Sequence, residues 1–476
     1  MRTLLSSGIF SAIAFLFSCS SSPSADVQLA SAVKADSVKR DDFVRGEIIP
    51  KIKCAGDSTI SYALYLPRTY TGISGVPVIY FFDPHGSGSF PLEKYKDLSE
   101  KYGYILAGSN TSKNGMTWEQ NGPQVKTFMA DVRTRLNINE KRVYACGFSG
   151  GSRVAASVGI FMGGINGVIA MGAGLPTITE PIRNRFDYIS FAGNEDFNMN
   201  ELVALNLSLD KSPVRHSQIL FNGKHEWASA EIVEDAFRWC EFNAMKDGSL
   251  AWSDSLIKKF GAQCNEQARI LTEQNDWLGL SRMFKKQIAF LEGLGEVAEC
   301  KVALDRLWSG AHYKQAARQD SALRMEEFQK QQEYSNAMAQ NDLQWWMAEV
   351  AVLKGSPKKR VSLEGERALL HKRLLSYLSM LAYMNAKAGL SSKQYMQAEH
   401  FVKIYQMVDP ENPEHEYMYA ELYAVSNRNA DALSSLGKAV KLGFKDLVRM
   451  QDDPLLNGLR GMPEYKEMES KVSSAR

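Results

Sequence analysis

Ser149 stands in Gly147-Phe148-Ser149-Gly150-Gly151, a G-x-S-x-G pentapeptide. A serine hydroxyl is a poor nucleophile at its own pKa and needs a neighbouring base. It also needs a backbone that presents it, and flanking glycines allow the sharp strand-to-helix turn that does so. The surrounding residues fit that turn. Val143-Tyr144-Ala145-Cys146 is a short apolar run of the kind that forms a buried strand, and Arg153-Val154-Ala155-Ala156-Ser157-Val158 opens a helix. Free N–H groups and the dipole at that helix start favour negative charge developing on a bound substrate. A glycine-rich helix start with a serine cap would have the same local sequence, so the pentapeptide requires partners elsewhere in the chain.

The elements that must position such partners follow from the apolar pattern. Two β-prone runs, Glu47 to Cys54 and Thr59 to Leu66, flank Ala55-Gly56-Asp57-Ser58 and predict a hairpin. Short, largely apolar runs then alternate with helical segments. The runs are Val78 to Phe82, Tyr104 to Ala107, Val143 to Cys146, Val168 to Met171, Tyr188 to Ala192 and Gln218 to Phe221. Helices are predicted over Leu92 to Tyr102, Gln124 to Leu136, after Ser149, and over Ala228 to about Met245. This alternation predicts an α/β fold, a doubly wound and mostly parallel sheet covered on both faces. Chemistry in such sheets collects beyond the carboxyl ends of the strands. Four of those ends carry a glycine turn: Asp83-Pro84-His85-Gly86-Ser87-Gly88, the Ser149 turn, Gly193-Asn194-Glu195-Asp196-Phe197-Asn198 and Asn222-Gly223-Lys224-His225-Glu226-Trp227.

The order Ser149, Asp196, His225, each on a loop after a strand, resembles the α/β-hydrolase fold family, and the four loops together resemble its small secreted esterases and depolymerase-like enzymes. The resemblance spans about residues 47 to 245. It departs from many relatives in the short stretch between Met171 and Tyr188, which leaves little room for a lid, and in the Asp83-Pro84 that precedes His85. It implies that His225 accepts and returns the serine proton and that Asp196, or alternatively Glu195, holds the imidazole in the right tautomer. By the fold's geometry the oxyanion donors are expected at the N–H of Gly150 and at one from the Gly86-Ser87 turn. His85 and Trp227 are expected as substrate-contacting residues, with turn and packing roles as their alternatives. His216, His312, His371, His400 and His415 fall at strand starts or in predicted helices and are expected to be structural.

The chain has 476 residues, enough for two or three domains, with 45% hydrophobic and 23% charged residues. Its formal charge of +2 gives no reason to expect a nucleic-acid partner, and the one compact basic run, Lys358-Lys359-Arg360, is expected in a solvated loop. Met1-Arg2, the apolar Leu4 to Phe17 and Leu16-Phe17-Ser18-Cys19 resemble a bacterial lipoprotein signal over residues 1–19. That implies export, lipidation of Cys19, and anchoring to a membrane of the cell envelope, on its periplasmic side or at the cell surface; an ordinary secretory signal with an incidental cysteine is the alternative. Residues 20–45 then form a flexible tether. Cys54, Cys146, Cys240, Cys264 and Cys300 remain, an odd number, with Cys146 in a core strand. No spacing indicates a metal site and no motif indicates a cofactor.

Beyond the α/β domain, 46–248, strands vanish. A helical domain over 249–366 is predicted, followed by tetratricopeptide-like repeats over 367–476. Ala386, Ala398, Val402 and Tyr405 are matched 34 residues later by Ala420, Ala432, Leu436 and Ala439. Stacked helix pairs of this kind bind a protein partner or buttress a neighbouring domain. For the whole chain the expected function is a surface-anchored serine esterase acting through an acyl-enzyme, on an ester of a polysaccharide. A serine peptidase, and a catalytically silent scaffold of an envelope assembly, are the alternatives.

Overall fold

The computed structural model describes residues 42–178, 182–355 and 365–474. Cys19, the signal segment, almost all of the 20–45 tether and the basic run at 358–360 lie outside the described residues. The chain divides into two compact units at residues 316 and 317.

The first unit is built on an eight-stranded sheet. Its strands are β1 (Ile48–Lys53), β2 (Ser61–Tyr65), β3 (Val76–Phe82), β4 (Ile105–Ser109), β5 (Ile138–Phe148), β6 (Gly167–Met171), β7 (Asp187–Gly193) and β8 (His216–Phe221). Their spatial order is β1-β2-β4-β3-β5-β6-β7-β8. β1 pairs antiparallel with β2 and β2 antiparallel with β4, and every other pairing is parallel. The expected doubly wound α/β sheet is therefore present, and its central strands are apolar because both faces are covered. In β3, Val78, Tyr80 and Phe82 join one buried cluster while Ile79 and Phe81 join the other. In β5, Val143 and Ala145 alternate in the same way with Tyr144, Cys146 and Phe148.

The covering helices are α1 (Ser89–Tyr102), α2 (Trp118–Arg135), α3 (Gly150–Ser157), α4 (Met199–Leu209) and α5 (Ala230–Lys246). α2 starts six residues before the expected Gln124, because Thr117 and Gln120 form a capping box that satisfies the first-turn donors and the helix carries Pro123 within it. α4 was not expected from the sequence; it buries Met199, Leu202, Leu205 and Leu209.

Three more helices, α6 (Asp254–Glu273), α7 (Trp277–Leu291) and α8 (Ala298–Ser309), belong to this first unit. Ile257, Phe260, Cys264, Phe290 and Leu291 extend the core cluster formed by Phe81, Phe191, Phe237 and Phe242. Phe260 stacks on Phe290 at 4.9 Å between ring centres, and Trp239 of α5 lies 5.0 Å from the same Phe290. This shared aromatic core is why the chain does not separate at the expected 248/249 boundary. The cysteines at 54, 146, 240, 264 and 300 are all buried and unbridged.

The second unit is helical. It holds most of α9 (Ala311–Ala337), then α10 (Leu343–Leu353), α11 (Gly365–Ser391), α12 (Tyr395–Val408), α13 (Pro413–Val425), α14 (Asn429–Lys441), α15 (Leu447–Asp452) and α16 (Pro463–Ser474). Trp346 and Val350 of α10 share a core with Leu370 and Leu374 of α11, so no core boundary falls at 366/367. The four small or apolar positions of the 34-residue spacing, in α11 and α12 and again in α13 and α14, are all buried. A Cβ on Gly389 would come within 3.0 Å of the Ala398 Cβ, the close helix approach that small residues permit. Among the described residues no helix is long and apolar enough to cross a membrane.

Candidate active site

β5 ends at Phe148 and α3 begins at Gly150, so Ser149 is the whole of the turn between them. It has φ 53° and ψ −121°, a conformation rarely adopted by a residue with a side chain and costly by about 1–3 kcal/mol. Contacts on both sides hold the backbone there. A Cβ on Gly147 would lie 2.0 Å from the Gly151 carbonyl oxygen, and one on Gly151 would lie 1.9 Å from the Phe82 carbonyl oxygen. Only glycine at both positions lets the turn pack against itself and against β3. Ser149 N–H donates to Met171 O at 2.8 Å, which ties the turn to the end of β6.

β7 and β8 deliver the partners. His225 Nε2 lies 2.9 Å from Ser149 Oγ, and His225 Nδ1 lies 2.9 Å from Asp196 Oδ1. The tautomer that fits has Nδ1–H donating to the carboxylate and Nε2 accepting from the serine hydroxyl. The imidazole is held between two rings, Phe148 at 4.7 Å and Phe197 at 4.4 Å. Of the two candidate acids it is Asp196 that faces the imidazole; the Glu195 backbone N–H donates to Gly223 O. Burial pushes the Asp196 carboxyl above its ordinary range, against the His225 hydrogen bond and charge, which pull it down. The Asn198 N–H also donates to Asp196 Oδ1, at 2.8 Å. Ser149, His225 and Asp196, far apart in sequence, thus form one continuous hydrogen-bonded chain at the carboxyl edge of the sheet.

The turn after β3 differs from expectation. Asp83, 4% exposed, gathers the donors around it: His85 N–H at 2.8 Å and Ser87 N–H at 3.3 Å meet Oδ1, the Trp227 indole N–H meets Oδ2 at 3.1 Å, and Gly86 N–H donates to the Asp83 carbonyl at 3.0 Å. Burial raises the Asp83 carboxyl, but the hydrogen bonds from His85 and Trp227 outweigh it and hold the pKa below the usual value. The expected oxyanion donors Gly86 and Ser87 are therefore already committed inside their own turn. Trp227 is buried among Phe81, Tyr95 and Phe148, so it packs the floor of the site and offers no open stacking face. His85 lies at the rim with its side chain 82% exposed.

Two residues escaped the sequence reading. Gly172, at the end of β6 with φ +65°, sits beneath the pair: a Cβ there would lie 3.1 Å from His225 Cε1 and 3.2 Å from Asp196 Oδ2. Asn114, in the loop after β4, lies against Gly150, where a Cβ would come within 1.8 Å of Asn114 Oδ1. Both follow strand ends, and extending the carboxyl-edge rule to β4 and β6 would have reached them. Three of the other histidines have local partners: His216 bonds Val214 O and Asp210, His312 stacks on Trp277, and His415 donates to Pro410 O.

No protein-family profile and no curated protein matches this sequence. Solved structures similar to it include the fluorophosphonate-binding serine hydrolase F of Staphylococcus aureus, at 10% identity and TM-score 0.35, covering 41% of this chain and 99% of that one. An esterase of Pyrobaculum calidifontis is 13% identical with TM-score 0.32 and coverages of 44% and 88%. Esterase 2 of Thermogutta terrifontis is 15% identical with TM-score 0.33 and coverages of 41% and 92%.

Proposed function

We propose that the first unit is a serine hydrolase that cleaves a carboxylic ester through an acyl-enzyme. The observation that carries this reading is the hydrogen-bonded chain from Ser149 Oγ through His225 to Asp196, with the serine held at positive φ. Ser149 Oγ attacks the ester carbonyl as its proton passes to His225 Nε2. Asp196 keeps the imidazole in the accepting tautomer and stabilises the imidazolium that forms. The oxyanion meets the Gly150 N–H at the start of α3, where the helix dipole favours it. Collapse of the tetrahedral intermediate expels the alcohol, which takes the proton from His225. A water molecule, deprotonated by the same nitrogen, then releases the acid and restores Ser149.

The exposed His85 side chain at the rim supports a bulky substrate, and with it an acyl ester on a polysaccharide. Leu16-Phe17-Ser18-Cys19 supports export and a lipid anchor on Cys19 in a bacterial envelope, and the helical unit is assigned to a protein partner. Exchange of Cys19 for Ser is expected to release the protein from the membrane fraction.

The catalytic reading is tested with a fluorophosphonate probe and p-nitrophenyl acetate on the full chain. Wild type is expected to be labelled and to hydrolyse the ester, and Ser149→Ala to do neither while keeping its melting temperature. An unlabelled, inactive wild type would overturn the assignment and leave the scaffold alternative. A panel of ester and peptide substrates separates esterase from peptidase.

A further inference from the structure

Stabilising an oxyanion takes more than one donor, and the β3-end turn has spent the N–H groups of His85, Gly86 and Ser87 on Asp83. A second donor must come from elsewhere. Resting on the hydrolase reading above, we infer that the side-chain amide of Asn114 is that donor, acting beside the Gly150 N–H.

Three observations support this. The loop after β4 is fastened over the β3-end turn, with Asn114 N–H donating to Pro84 O at 2.8 Å and Gly88 N–H donating to Asn110 Oδ1 at 3.1 Å. Ser109 Oγ braces the same loop by accepting from Thr111 and Ser112 N–H. The position of Asn114 against the serine turn is thereby set by its own backbone and its loop, independently of its side chain.

Gly150 itself is the second observation. Gly147 and Gly151 must be glycine for the turn to pack, but Gly150 occupies a variable position of the pentapeptide, where a side chain is ordinarily tolerated. Here a Cβ would come within 1.8 Å of Asn114 Oδ1, 2.8 Å of Cγ and 3.4 Å of Nδ2. The missing side chain makes room for the Asn114 amide directly over the residue whose N–H is the first donor. The amide and the first donor thus share one residue of the serine turn.

The third is availability. Asn114 is exposed, and its side-chain amide makes no hydrogen bond to the described residues. A half-turn about Cβ–Cγ exchanges Oδ1 for Nδ2 in place, so developing negative charge selects the donor end. A neutral amide performs this without the desolvation cost of a buried cation.

The test compares wild type, Asn114→Ala, Gly150→Ala and the double variant on p-nitrophenyl acetate, with melting temperatures as a folding control. Loss of an oxyanion donor is expected to lower kcat about 100- to 1,000-fold with little change in KM. Gly150→Ala evicts the amide, so it should lower kcat in the wild-type background by much more than in the Asn114→Ala background. Ser149 should keep its fluorophosphonate label in Asn114→Ala, although more slowly. A kcat within about threefold of wild type for Asn114→Ala, or full additivity of the two substitutions, would overturn this inference and leave the hydrolase reading standing. An inert wild type would remove both.

Discussion

Arg153 and Glu201 face each other through two parallel hydrogen bonds, Nη1 to Oε1 at 2.9 Å and Nη2 to Oε2 at 2.8 Å. Arg153 lies in α3, one turn after Ser149, and Glu201 lies in α4, which follows the Asp196 loop. The same arginine donates to Leu175 O, and the same glutamate accepts from Gly174 N–H. One ion pair therefore joins three of the segments that meet at the site.

Both side chains are more than a third exposed, so the pair adds little to global stability, at most about 1 kcal/mol. Its effect should be on alignment. Arg153→Ala is expected to lower kcat about tenfold while leaving the melting temperature nearly unchanged, measured by ester hydrolysis and calorimetry. A large loss of stability with normal kcat would contradict the positioning role.

Gly172 should tolerate no side chain. With φ +65° and a Cβ that would lie 2.7 Å from the Phe148 ring and 3.1 Å from His225, Gly172→Ala combines backbone strain with displacement of the imidazole. A misplacement of about 1 Å costs about 100-fold in rate. That loss is expected in steady-state kinetics, together with a lower melting temperature.

Trp227 is 6% exposed and its indole N–H is bound to Asp83, so Trp227→Phe should act on stability rather than on substrate binding. Leaving Asp83 Oδ2 short of a donor costs about 1–3 kcal/mol. The melting temperature should fall and KM for p-nitrophenyl acetate should stay constant. A raised KM with unchanged stability would return Trp227 to the substrate.

Asp187, at the opposite edge of the sheet, supplies a pH signature. Burial pushes its carboxyl from 3.8 up to about 6, against the pull of Arg215. The folded state thus holds this proton more tightly than the unfolded chain does. The resulting stability is complete below pH 3.8 and is lost as pH rises through about 6, on the order of 3 kcal/mol by the size of the shift. The difference in melting temperature between Asp187→Asn and wild type should therefore move in favour of the variant between pH 4 and pH 6 and level off above. A difference independent of pH would show that Asp187 keeps its ordinary pKa.

Much of the α/β unit was legible in the linear chain because its signals are local. A buried strand needs an unbroken apolar run, and a sharp turn needs glycine, so β3, β5 and the Ser149 turn announce themselves. α4 was missed because its polar neighbours mask a short apolar face, and helix periodicity does not show what a helix packs against. Phe260 and Phe290 read as ordinary amphipathic positions until the structure places them in the core with Trp239 and Phe242.

The site divides along the same line. Residue types and strand-end positions by themselves singled out Ser149, His225 and two candidate acids, since nucleophilic chemistry draws on few side chains and this sheet gathers its strand-end loops at one edge. Only the tertiary structure decided that Asp196 faces the imidazole, that Asp83 consumes the N–H groups of Gly86 and Ser87, and that Asn114 lies over Gly150. Those outcomes depend on which atoms from distant segments come within about 3 Å of each other, and hydrogen bonding is too short-ranged to be read from order along the chain.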